Sequence, residues 1–212
     1  KGDADLFLDS WLPVTHEHYW ERFSDSLEQM SVTYDEASLG LVVPSYVEIN
    51  SIEELNNYAD EFNRQIIGID SGAGIHRETT EAIEKYGLDY KQITSSEGAM
   101  MASLRRAVSA NKPIVITGWQ PHYMWDIYNL KMLEDPKGIY STDRIEILSR
   151  QGFKEDKPLA HHFFANFEFN AEEINELIAM AREAEAKSRD SSEGIKAFYE
   201  KHQEKIDGWF AE

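Results

Sequence analysis

Apolar runs of strand length alternate with amphipathic stretches along the first two thirds of the chain. Residues 4–8 alternate as a strand does, and 17–23 read as a short helix. The run LGLVVP at 39–44 is continuous and closed by proline, the pattern of a strand buried on both faces. Asn50 or Ser51 caps a helix with acids in its first turn, predicted to run to about Phe62. Buried strands follow at 65–70, 90–94 and 113–117, with helices at 76–86 and from Ser95 to about Ala110. Strand, loop and helix thus alternate from 51 to 121, the order of a parallel α/β sheet, where ligands sit at the carboxyl ends of strands.

A short strand is predicted at 145–148, and beyond Gly152 the pattern turns helical, at 159–167, 171–187 and 195–210. Residues 1–50 with 144–212 are expected to form one lobe, and 51–143 the other. Two crossings of this kind suit a hinged pair of lobes.

Composition narrows the classes. The chain has 212 residues and a formal net charge of −18, which argues against a nucleic-acid partner. It has no cysteine, which excludes disulfides, thiolate metal sites and a cysteine nucleophile. No apolar run reaches the roughly 18 residues of a membrane span. The start at Lys1-Gly2-Asp3 carries no leader pattern and reads as mid-sequence, so a fragment, a trimmed form or a permuted order is expected.

Three loops hold the candidate chemistry, each at the end of a predicted strand: 11–16 (WLPVTH), 70–75 (DSGAGI) and 118–125 (GWQPHYMW). Trp11 and Trp119 offer ring faces to a cation, roughly 0.5–2 kcal/mol per ring depending on desolvation. The small-residue turn before a helix presents the amides of Gly74 and Ile75 to an anion, and His16 adds a side-chain hydrogen bond. A cage for a cation and a nest for a carboxylate describe a betaine-like zwitterion. His16 and His18 lack a third ligand at recognisable spacing, so neither metal nor cofactor is expected. His161, His162, Met100, Met101 and Trp209 read as packing or surface residues. An enzyme using His16, Asp70 and His122 for acid–base work is a rival of another class, without any recognised catalytic spacing.

The stretches GDADLFLDSWLPVTH (2–16), LGLVVPSYV (39–47), IIGIDSGAGI (66–75) and KPIVITGWQPHYMW (112–125) resemble the glycine betaine-binding proteins of osmoregulatory ABC importers. The resemblance continues through IEILSRQGF (145–153). It implies an α/β, two-lobed type II periplasmic-binding-protein fold that closes on its ligand. It implies extracytoplasmic placement, delivery to an ABC permease, and membrane association through that permease or an anchor. Trp11 and Trp119 match two cage positions, and His16, Gly74 and Ile75 match those that hold the carboxylate. Choline, carnitine and proline betaine are alternative ligands. A segment bearing a first strand, a helix and a further cage tryptophan has no counterpart here, so the first lobe is expected to be incomplete. Trp125 or Tyr123 is the available substitute for that aromatic.

Overall fold

The computed structural model describes residues 3–211; Lys1 and Gly2, on which the reading of the start rests, and Glu212 lie outside them. The chain divides into two compact units. Unit 1 holds the described residues up to Ala37, then Pro121–Tyr123, and those from Asp143 onward; unit 2 holds Ser38–Gln120 and Met124–Thr142.

In unit 1, β1 (Leu6–Leu12) pairs antiparallel with β7 (Thr142–Arg150), with Trp11 opposite Ile145. The amino-terminal part of β2 (Leu27–Pro44) lies on the other side of β7. The buried Thr33 hydroxyl donates to the Ile145 carbonyl, 3.0 Å. Five of the nine β7 residues from Ile145 to Ser149 are buried in succession, as befits a strand covered on both faces. The strand β1 runs further than its alternation suggests and carries Trp11 within it rather than in the following loop. The helix α1 (Glu17–Phe23) falls where its pattern places it.

The helical part of unit 1 comprises α5 (Phe153–Asp156), α6 (Pro158–Ala165), α7 (Ala171–Ser188), α8 (Ser192–Lys201) and α9 (Gln203–Gly208). Its core is aromatic: Phe169, Phe198, Ile206 and Trp209 are buried, with Phe163 and Phe167 against them. The helix predicted over 195–210 is two, broken at His202, which caps both α8 and α9 and bonds Glu176 at 3.0 Å. Asn170 and Glu173 form a reciprocal capping box that starts α7.

In unit 2, β3 (Gln65–Ile67) lies between β4 (Lys91–Ile93) and β5 (Ile116–Gln120), parallel to both. The second half of β2 runs antiparallel to β5, and on its other side to β6 (Leu130–Met132). Helices α2 (Gly74–Tyr86) and α3 (Glu97–Ser109) supply the crossovers, and α4 (Met124–Ile127) follows β5. The core gathers Leu41, Val43, Ile49, Ile52, Leu55, Ile66 and Val115, each fully buried. Each such side chain stabilises the fold by about 1.5–3 kcal/mol relative to exposure.

Unit 2 also departs from its pattern. The segment Ile52–Tyr58 is a 3₁₀ helix, although the Ser51–Glu54 capping box starts it as expected. The strand β5 begins three residues later than predicted and extends through Trp119, so Trp119 projects from a strand rather than a loop.

The tightest helix contact in unit 1 is α7 on α8. A Cβ on Gly194 would collide with the Met180 carbonyl, backbone against backbone. Gly194→Ala is therefore expected to destabilise by about 1–3 kcal/mol or more. Gly208→Ala, where a Cβ meets nothing within 4 Å, should be neutral or stabilising. Equal melting temperatures for the two variants would refute this packing.

Candidate ligand-binding site

The unit 1 residues lie where β1 runs into α1. The amide of Trp11 donates to His16 Nδ1 (3.0 Å), and the amide of His16 donates back to the Trp11 carbonyl (2.9 Å). This reciprocal pair closes a loop that contains a cis Leu12–Pro13 bond. A backbone N–H can only donate, so Nδ1 is the unprotonated acceptor and Nε2 carries the ring proton. Burial pushes the His16 ring below the ordinary histidine value of 6.5; Asp9 and Asp143 oppose that shift and His18 adds to it. The ring is therefore a neutral donor through Nε2 at pH 7.

Two carboxylates hold this loop. Asp9 accepts the Trp11 indole N–H at 2.7 Å, which fixes the ring's rotation about its own bond. Burial raises the Asp9 carboxyl, against that hydrogen bond and His16. Asp143 accepts the amides of Val14 (2.8 Å) and Thr15 (3.0 Å), one on each oxygen. It is 1% exposed. An apolar cavity of about 270 Å³ beside the loop is lined by Phe7, His16, Tyr19, Trp20 and Phe23, among others.

The unit 2 residues sit at the carboxyl ends of its parallel strands. Asp70 Oδ1 accepts the Gly72 amide (2.8 Å) and its carbonyl accepts the Ala73 amide (3.1 Å), folding the small-residue turn. Ala73 is the N-cap of α2 and has no side-chain oxygen to offer. Gly74 and Ile75 are the first two residues of that helix, where amides have no intrahelical acceptor. Trp119 lines a cavity of about 520 Å³ with Asp70, Thr94, Ser95, Ser96 and Glu97. Gly118 keeps β5 close to β2, and the Trp125 indole N–H donates to the Trp119 carbonyl at 2.8 Å.

The structure thus gathers Trp11 with His16 in unit 1. In unit 2 it places Trp119, Gly74 and Ile75 at strand-to-helix junctions on the carboxyl side of the sheet. Of the substitute aromatics, Tyr123 is already engaged: Arg182 lies 3.9 Å from its ring centroid and His122 stacks on it at 4.3 Å. Trp125 is tied to the backbone under Trp119. The residues Thr94, Ser95 and Ser96 escaped the sequence reading, although a strand end followed by the N-cap of a helix is a signal that singles them out. Asp143 carried no such signal, since its loop partners lie 128 and 129 positions away. Among the described residues no three His, Asp or Glu side chains converge as a metal site, and no helix is long and apolar enough to cross a membrane.

Several known proteins share this architecture. The glycine betaine/carnitine transport binding protein GbuC of Listeria monocytogenes is 37% identical over 154 residues, 71% of this chain and 50% of its own length. The chain thus spans about half the length of that curated relative. The crystal structure of lactococcal OpuAC, closed and complexed with glycine betaine, is 34% identical with a TM-score of 0.89. The match covers 99% of this chain and 81% of that one. The glycine betaine, L-proline-binding protein ProX of Borrelia burgdorferi is 32% identical with a TM-score of 0.88, covering 98% of this chain and 78% of that one. The fold is that of the type II periplasmic binding proteins. A family model described as the substrate binding domain of ABC-type glycine betaine transport system matches residues 1–201, and the chain belongs to that family.

Proposed function

We propose that this chain captures glycine betaine outside the cytoplasm and delivers it to the permease of an ABC importer. The observation that carries the reading is the Trp11–His16 interlock. It holds a cation-attracting ring and a neutral N–H donor in one closed loop. A trimethylammonium group has no N–H to donate and is bound through aromatic faces. A carboxylate needs donors: His16 Nε2 offers one in unit 1, and the first amides of α2, those of Gly74 and Ile75, offer others in unit 2. Trp119 offers the further cage ring face in unit 2. That lactococcal OpuAC was crystallised with glycine betaine supports the choice of ligand. Binding occurs without a chemical step, so betaine should be recovered intact by mass spectrometry after prolonged incubation.

Titration followed by tryptophan fluorescence tests the cage. Glycine betaine should give a saturable change, with a weaker one for choline. Loss of a ring costs roughly 0.5–2 kcal/mol, about 2- to 30-fold in affinity, for Trp11→Ala and for Trp119→Ala. Unchanged affinity in both variants would remove the cage. His16→Ala should weaken betaine more than choline; equal losses would mean that His16 does not meet the carboxylate.

A second test reads the His16 proton directly. The folded state favours the neutral ring, so its stabilising contribution is complete above about pH 6.5 and is lost as pH falls through the lowered folded value. Imidazole ¹⁵N NMR of the ligand-free protein should show the Nε2–H tautomer and a midpoint below 6.5. An Nδ1–H tautomer, or a midpoint above 6.5, would overturn the assignment.

A further inference from the structure

We infer that Asp143 is the positioning residue of the unit 1 ligand loop, setting affinity without touching the ligand. The inference rests on the betaine reading for its ligand and on unit 1 alone for its geometry. Residues 13–16 form a turn between β1 and α1, where the amides of Val14, Thr15 and His16 stand outside any strand ladder. Asp143 receives two of them, Val14 on one oxygen and Thr15 on the other. Charge-assisted bonds of this kind are shorter and stronger than neutral ones.

Both oxygens are engaged within the loop and the side chain is 1% exposed, so direct contact with solvent or solute is not its role. Its own backbone is fixed as well, because it lies on β7 beside Arg144, the partner of Leu12. The loop is thereby clamped at both ends. Trp11 and His16 hold each other across it, and Asp143 holds its middle from the neighbouring strand. A functional group held this way keeps its geometry through locked rotamers and supporting hydrogen bonds. The cage ring and the carboxylate donor sit on the same loop, so a single support governs both. Asp143 is also the first residue of unit 1 after the chain leaves unit 2 at Thr142.

The isosteric Asp143→Asn variant separates positioning from bulk stability. Its amide oxygen can accept one of the two N–H groups, while its NH₂ opposes the other. Glycine betaine affinity, measured by calorimetry, should fall about tenfold. The His16 imidazole ¹⁵N signature of the ligand-free variant should move away from that of the wild type. Asp143→Ala should lose more on both readouts. Gly194→Ala disturbs the α7–α8 backbone contact, which shares no residue with the loop, and serves as the control. It should lower the melting temperature while leaving affinity and the His16 signature unchanged. In the wild type, the Val14 and Thr15 amides should exchange slowly with solvent, and this check needs no variant.

Wild-type affinity and an unmoved His16 signature in folded Asp143→Asn would overturn the inference, whatever the melting temperature does. Unprotected exchange at Val14 and Thr15 would overturn it too. If the wild type binds no betaine but Asp143→Asn still perturbs His16, the ligand reading fails and the positioning role stands.

Discussion

Backbone amides that leave a strand need acceptors, and in the loop between β1 and α1 side chains supply three of them. His16 Nδ1 takes the amide of Trp11, and Asp143 takes those of Val14 and Thr15. Leaving a buried donor unpaired costs about 1–3 kcal/mol, a large part of a domain's net stability. The loop is therefore held in one shape by the same contacts that prevent this penalty. One consequence is chemical. By accepting at Nδ1, His16 is left with its proton on Nε2, and burial keeps the ring neutral. The loop's hydrogen bonding and the donor's tautomer are one arrangement seen from two sides.

Unit 2 reaches a similar end by omission. Ser51, Ser96 and Asn170 cap their helices with side-chain oxygens, whereas Ala73 cannot. The turn before α2 is instead organised by Asp70, which bonds Gly72 and Ala73 and leaves the next amides for something else. A cap at position 73 would stabilise the helix by about 1 kcal/mol and compete for the same donors. In both units, then, the groups suited to a carboxylate are dipolar rather than charged. On a chain of net charge −18 this suits a solute of no net charge, whose charges matter only at contact, within a screening length of about 10 Å.

The sequence makes some of this plain and hides the rest for physical reasons. Strand runs such as LGLVVP are legible because burial on both faces leaves no polar position. The first two thirds of β2 is not legible: Glu28, Asp35 and Glu36 interrupt any apolar alternation, and only Thr33 and Ala37 are buried before Ser38. Three-residue strands such as β6 fall below the length at which a period exists. Helix starts are legible where a cap stands, as at Ser96, whereas the break at His202 depends on a contact with Glu176 that no local pattern records. Trp11, His16 and Trp119 stand out as bulky or titratable groups beside turn residues. That both tryptophans project from strands is a matter of register, set by pairing with Ile145 and Leu39. Asp143 is one aspartate among many until the chain has folded.

Neutral donors also bear on how a betaine is told from choline. The trimethylammonium group is common to both, so ring faces cannot discriminate between them. A site built to bond an oxygen anion discriminates by what the wrong ligand leaves unpaired. His16 borders a cavity lined largely by apolar side chains, Phe7, Trp20, Phe23 and Leu148 among them, with the Ser10 and Tyr19 hydroxyls as its polar groups. Gly74 and Ile75 are themselves buried at the start of α2, where amides have no intrahelical acceptor. An unmet donor therefore carries a cost at each of these places. On the proposed reading, discrimination against choline rests on such donors rather than on the rings.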